Sequence, residues 1–249
     1  MFDLSGKTAL VTGGGRGLGL EMAKALARAD ARVFINGRDA DALAATVDAA
    51  GAEGVRLEAV AGDVQGDAAR IVADVVAAAG GLDILIHGVG VRDRRGIRDL
   101  PVADFSRLVE TDLVAAYGMA QAALPHLEHA PAGRLIFVTS IAATHAKPGD
   151  PAYTAAKGGL EALTRSLAVE IGADRLTVNA ISPGWFATET NRHLAEDESL
   201  KPFVEARIPL KRWGRPDEIA SAAVFLAAPE SSFVNGHTLV VDGGMTAQM

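Results

Sequence analysis

The chain has 249 residues, of which 49% are hydrophobic and 22% charged; 24 basic against 31 acidic side chains give a formal charge of −7, and there is no cysteine. The missing cysteine excludes thiol catalysis, thiolate metal sites and a disulfide-stapled scaffold, and the acidic balance argues against a general nucleic-acid binder, whose affinity rests on neutralising phosphates. No run approaches the ~18 apolar residues of a membrane span, and only seven residues, without the pattern of a secretory signal, precede the first apolar strand, so a cytoplasmic protein with no membrane partner is expected.

Short apolar runs at 8–12, 32–36, 56–61, 84–87, 135–140, 177–182 and 239–242 read as buried parallel strands. Longer helical patterns, many rich in alanine, lie between them, and no linker, repeat or low-complexity block interrupts the alternation. Alternation from end to end predicts one α/β domain over 1–249, with a doubly wound, Rossmann-like parallel sheet of seven strands covered by helices on both faces. Ligands of such sheets sit beyond the carboxyl ends of the strands.

The first of those ends reads Thr12-Gly13-Gly14-Gly15-Arg16-Gly17-Leu18-Gly19, and Leu20 to Ala29 continues as a helical pattern. Glycines let the backbone turn tightly and approach a pyrophosphate, while the helix start supplies amide donors and a positive dipole end. The spacing is G-x-x-x-G-x-G; a flexible turn is the plainer reading of the glycines alone. Gly13, Arg16, Gly17, Leu18 and Gly19 are therefore candidate dinucleotide contacts. The second strand ends Asn36-Gly37-Arg38. An acid there would favour NAD through the ribose 2′-hydroxyl, whereas a basic group suits the 2′-phosphate of NADP. With Gly37 in the acidic position and Arg38 and Arg16 beside it, NADP is expected, with NAD as the alternative. Asp39 pairs with Arg38 or caps the next helix. Asp63 and Val64 close the third strand, where an adenine edge is read or where Asp63 caps the next helix.

The fifth strand ends at Thr139-Ser140, and Tyr153-Thr-Ala-Ala-Lys157 opens a helix carrying Leu160, Leu163, Leu167 and Ile171 on its apolar side. Residues four apart share a helix face, one turn from each other. A phenol is a weak acid, ionising near pH ~10; a neighbouring ammonium and an oxidised nicotinamide stabilise a phenolate. With a serine hydroxyl to hold the substrate oxygen, Ser140, Tyr153 and Lys157 form an apparatus for moving a proton on or off a carbonyl oxygen. The other tyrosine, Tyr117, lies within a helical pattern and is expected to be buried.

TGGGRGLG at 12–19, Ser140, YTAAK at 153–157 and Asn179-Ala-Ile-Ser-Pro183-Gly184 with Thr188 four residues on resemble the short-chain dehydrogenase/reductase superfamily over essentially the whole chain. The resemblance implies Tyr153 as general acid/base, Lys157 on the nicotinamide ribose, Ser140 on the substrate carbonyl, and Pro183, Gly184 and Thr188 around the carboxamide. It also implies a homotetramer assembled through the helices flanking the fifth strand and through the C-terminal segment. Lys211 to Ile219, Ala222 to Leu226, Ser232 to His237 and Asp242 to Met245, with Phe2 to Lys7 and Ile35 to Arg38, are similar to gluconate 5-dehydrogenases, which interconvert D-gluconate and 5-keto-D-gluconate.

Two departures stand out. Where the superfamily has Asn-Asn-Ala-Gly after the fourth strand, this chain has His87-Gly88-Val89-Gly90. His87 is expected to be a satisfied sheet-edge histidine, and Gly90 a cofactor contact. Asp112 stands in place of the catalytic asparagine of the family's tetrad, which supports a water linked to the lysine; it is expected to keep that place, with a solvent-facing or capping carboxylate as the bland alternative.

For the substrate, Arg94, His145 and Trp185 join Ser140 and Tyr153 as candidates. Arg92 to Arg95 follows the fourth strand, Lys147 follows Ser140, and the segment at about 185–210, with Arg192 and His193, has the position of a lid. Converging cations suit a carboxylate. No metal site is expected. The expected function is an NADP-preferring oxidoreductase interconverting a ketone and a secondary alcohol on a small molecule, a polyol or sugar acid. The alternatives are a 3-oxoacyl-carrier-protein reductase, disfavoured because residues 126–131 offer no Lys or Arg to an acidic carrier, and a non-catalytic dinucleotide-binding regulator.

Overall fold

Alternate residues of each strand feed opposite faces of the sheet, and this period of two builds two cores. The computed structural model describes residues 2–173 and 175–248. Among these, the strands are β1 (Thr8–Thr12), β2 (Arg32–Gly37), β3 (Glu58–Ala61), β4 (Ile84–His87), β5 (Gly133–Val138), β6 (Leu176–Pro183) and β7 (Thr238–Val241). All pair in parallel, in the order β3-β2-β1-β4-β5-β6-β7. The helices are α1 (Gly17–Arg28), α2 (Ala40–Ala52), α3 (Ala68–Ala79), α4 (Val102–Val109), α5 (Ala115–His129), α6 (Pro151–Glu170), α7 (Arg192–Ala195), α8 (Lys201–Arg207) and α9 (Ala220–Ala227).

Val11, Ile84, Ile86 and Ile136 face one side and bury against Met22 and Leu26 of α1, Leu43 of α2 and Leu226 of α9. Leu10, Leu85, Leu135 and Phe137 face the other and bury against Ile71 and Val75 of α3, Met119 and Leu127 of α5 and Leu160 of α6. Each such side chain contributes about 1.5–3 kcal/mol through removal from water. A third, smaller cluster joins Leu108 of α4 to Ala152 and Ala156 of α6.

The expected strands are all present, with boundaries moved by up to two residues. The chain winds outward through β2 and β3, then crosses back to place β4 on the other side of β1. The crevice above β1 and β4 is thus a topological switch point. Tyr117 corrects its expectation: it lies in the first turn of α5 and is 48% exposed, because the inward face of that helix is taken by Ala116, Met119 and Ala120. No helix among the described residues is long and apolar enough to cross a membrane.

Candidate active site

The turn after β1 closes so tightly that side chains are excluded. Gly13 and Gly17 have φ of +66° and +55°, which favours glycine. A Cβ on Gly19 would lie 2.3 Å from the Gly13 carbonyl oxygen, and one on Gly14 2.7 Å from that of Val11. The result is a bare backbone cradle at the start of α1, the surface a pyrophosphate requires. Leu18 packs its side chain on the core below. Thr188, after β6, faces the cradle: a Cβ on Gly17 would sit 3.7 Å from its Cγ2.

Arg16 and Arg38 are exposed at the outer end and form no ion pair among the described residues. Asp39 accepts from the Ala42 amide at 3.0 Å, so it caps α2 and leaves Arg38 free. The Asn36 side-chain amide donates to the carbonyls of Val60 (3.0 Å) and Gly62 (3.1 Å), tying the ends of β2 and β3 together. Asp63 does not cap α3. Its Oδ1 accepts from Gln65 N, and Asp67 occupies the cap position. The Val64 side chain is buried in the core. The donor set, the cradle and the two free cations fit a phosphorylated dinucleotide.

Further along the same edge, the Ser140 hydroxyl oxygen accepts from Ala142 N at 3.1 Å and begins a short 3₁₀ turn, Ile141–Ala143. Tyr153 lies in the first turn of α6, behind Pro151, whose fixed φ suits a helix start. One turn on, Lys157 is buried; its Nζ donates to the Val138 carbonyl at 3.2 Å and stands 5.7 Å from the Tyr153 ring centroid. Asp112 faces it, with Oδ2 at 3.5 Å from Nζ and side-chain exposures of 3% for the lysine and 0% for the aspartate. At that distance the contact is an ion pair rather than a well-formed hydrogen bond.

Asp112 reaches this place because the chain between α4 and α5 makes a π-helical turn, Glu110–Val114, a device frequent at functional sites. Its Oδ1 accepts from Val91 N at 2.7 Å. Burial pushes the carboxyl up, and the Lys157 ammonium and the Val91 hydrogen bond oppose it. The solvent-facing alternative is therefore excluded. Gly90 is required here, since its Cβ would lie 2.9 Å from Lys157 Nζ and 3.1 Å from Asp112 Oδ2.

His87 corrects its expectation in two respects. It ends β4, an interior strand, rather than lying at a sheet edge, and it is fully buried. Its Nδ1 pairs with Thr12 Oγ1 at 3.0 Å, but Nε2 has no partner. Burial first, and the Lys157 charge second, push its pKa down to about 3, so the imidazole is neutral at ordinary pH.

The cations of the substrate edge do not all converge. Arg95 is held by Asp93 and Asp104. Arg92 is clamped on the buried carboxylate of Asp150 through both Nε, at 2.9 Å, and Nη2, and its guanidinium lies 4.8 Å over the Tyr153 ring centroid. Lys147 stands 3.8 Å from Asp150 and 5.5 Å over the Trp185 ring; burial and the neighbouring arginines lower its pKa against the pull of Asp150. Trp185 stacks on Phe203 of α8 at 5.0 Å and packs against Trp213, so it holds the 185–210 segment in place. Arg94 is exposed, has no ion pair among the described residues, and its carbonyl lies against Gly149. His145 is exposed, with Nδ1 2.9 Å from Thr144 Oγ1. Pro183 ends β6, and Gly184 packs so closely on β7 that a Cβ would lie 2.6 Å from that of Asp242.

Residues 13–246 match the family model described as enoyl-(acyl carrier protein) reductase. Gluconate 5-dehydrogenase of Gluconobacter oxydans (strain 621H) is 38% identical over 251 residues, covering 100% of this chain and 98% of that protein. The chain belongs to the short-chain dehydrogenase/reductase family. It is thus an oxidoreductase, which sets aside the regulator alternative. The short-chain dehydrogenase/reductase fold is matched closely by the crystal structure of a gluconate 5-dehydrogenase from Burkholderia cenocepacia J2315 in complex with NADP and tartrate, with a TM-score of 0.93, 34% identity, and coverage of 100% and 98% of the two chains. A rhamnolipid-biosynthesis 3-oxoacyl-[acyl-carrier-protein] reductase of Pseudomonas aeruginosa is 35% identical over 251 residues, 98% of this chain and 97% of that one. Within this family frame, the residue that sequence reasoning passed over is Asp150. Its signal was an aspartate directly before the helix-opening Pro151, three residues ahead of the tyrosine.

Proposed function

We propose that the protein interconverts a ketone and a secondary alcohol on a small hydroxy acid of the gluconate/5-ketogluconate type, with NADP(H) preferred over NAD(H). The observation that carries the reading is Lys157, buried one helical turn beyond Tyr153 and 5.7 Å from its ring, at the carboxyl edge of the sheet where Ser140 and the glycine cradle also lie.

The cradle residues Gly13, Gly17, Leu18 and Gly19 would hold the pyrophosphate, Arg16 and Arg38 the 2′-phosphate, and Asp63 and Val64 the adenine. Gly90, Tyr153 and Lys157 would hold the nicotinamide ribose, and Pro183, Gly184 and Thr188 the carboxamide. When bound, the nicotinamide supplies or accepts the hydride. Ser140 donates to the carbonyl oxygen of the substrate. Tyr153 transfers its phenolic proton to that oxygen as charge develops there, and takes it back in the oxidative direction. Lys157 stabilises the phenolate left behind. Asp112 fixes the Lys157 ammonium from the far side, in the place of the family's asparagine.

Arg94, free of carboxylate partners among the described residues, suits the substrate carboxylate, and the 185–210 segment, anchored by Trp185, covers it as a lid. The NADP and tartrate complex of the Burkholderia relative supports both the cofactor and the acid. A cytoplasmic homotetramer belongs to the same reading.

The Pseudomonas relative favours a second reading, reduction of a 3-oxoacyl thioester. Following NADPH absorbance with 5-ketogluconate, other keto sugar acids and a 3-oxoacyl thioester separates the two. Turnover of keto acids is expected; turnover confined to the thioester would replace the first reading by the second, and turnover of neither class would reject both.

A further inference from the structure

We propose that Arg92 and Asp150 are a charge-compensated pair that positions the Tyr153 ring and sets the electrostatic field it experiences during proton transfer. The inference rests on the reading of Tyr153 as the acid/base.

Three observations carry it. Asp150 is 1% exposed, and its principal partner is the guanidinium of Arg92, bound through two nitrogens. That same guanidinium lies over the Tyr153 ring at 4.8 Å. Asp150 stands directly before α6, yet its side chain does not cap the helix. Its carboxylate is committed instead to holding Arg92 across a separation of 58 residues. A bidentate pair of this kind has one geometry, so the loop after β4 is pinned to the turn of α6 that carries the phenol.

The charges against the Tyr153 ring are Lys157 from α6 itself and Arg92 from the loop after β4, and the charges paired behind Arg92 are Asp150 and, on Asp150, Lys147, both from the segment entering α6. Asp112 lies behind Lys157 on the π-helical turn. Arg94 and His145, on the same two loops, are exposed. Beyond β6 the packed group is the uncharged Trp185, beneath Lys147. Arg92 and Asp150 cancel each other in this set. Deleting Arg92 leaves Asp150 with only the more distant Lys147, at 3.8 Å, and deleting Asp150 leaves Arg92 with no carboxylate partner, so the two deletions change the net charge near the phenol in opposite directions.

The test uses the protein labelled with carbon-13 at the tyrosine Cζ. The chain has two tyrosines, and Tyr117→Phe assigns the two resonances. Tyr117, half-exposed on α5, is the internal reference. In Arg92→Gln the alkaline titration of the Tyr153 resonance should move to higher pH, by about one pH unit. In Asp150→Asn it should move to lower pH by a similar amount, and in the double variant, which keeps a neutral side-chain pair, it should return towards wild type. Circular dichroism checks that each variant is folded, and the double variant keeps the test open if burying a lone charge unfolds a single one. The pH–rate profile for turned-over substrate should follow the same signs. Shifts of the same sign, no shift, or a double variant as displaced as either single one would overturn the inference. Failure of the catalytic reading is separate: it appears as turnover by Tyr153→Phe, which leaves the titration pattern of the Arg92 and Asp150 variants untouched.

Discussion

His87 makes stability depend on pH in a way that can be calculated. The imidazole's ordinary value is 6.5, and in the folded protein it falls to about 3, through burial and the Lys157 charge. As pH falls, the unfolded chain takes up this proton first. Stability is therefore full above pH 6.5 and is lost progressively towards pH 3, at about 1.4 kcal/mol per pH unit. Between about pH 6.5 and about pH 5 the loss from this one residue is about 2 kcal/mol. His87→Asn removes the titration and keeps a polar side chain at the end of β4. A smaller side chain leaves a cavity, but that penalty is constant with pH, and Asp112 titrates in both proteins, so the comparison isolates the histidine. The assay is urea unfolding followed by circular dichroism at a series of pH values, at one fixed protein concentration. Wild type should lose about 2 kcal/mol more than His87→Asn over that interval. Parallel curves would refute the assignment of a buried, neutral His87.

Asp112→Asn keeps an oxygen for the Val91 amide while removing the charge 3.5 Å from Lys157; it should remain active with an altered pH–rate profile, and a dead variant would contradict the positioning role. Gly19→Ala drives a methyl to 2.3 Å from the Gly13 carbonyl oxygen and should lose NADPH binding in a fluorescence titration while keeping the helical content of the fold. Arg38→Ala should weaken NADPH about tenfold, toward the low end for a charge-assisted contact because the site is exposed, and leave NADH nearly unchanged; equal losses for both cofactors would withdraw the 2′-phosphate assignment.

The sheet was legible because buried parallel strands are short apolar runs, and the glycine cradle because only glycine fits where a Cβ meets a carbonyl at such range. Tyr153 and Lys157 declared themselves by a helical spacing of four. The partners of buried polar groups were less legible. Thr12 and His87 are 75 residues apart and Arg92 and Asp150 58 apart, so no local pattern links them. The burial of Asp112 depends on a π-helical turn, which shifts a helix face without any glycine or proline to mark it. Tyr117 misled because an alanine-rich helix has no sharp apolar stripe; its orientation is decided by α3, which packs on the alanine face.

The central claim is that the Tyr153 phenol carries the proton transferred to or from the substrate oxygen. Tyr153→Phe removes that proton and little else. With a substrate that wild type reduces, the variant should bind NADPH normally and retain its thermal stability, while turnover falls by about 10²–10⁴-fold, the usual worth of a positioned general acid. Turnover within a few-fold of wild type would contradict the account at its centre.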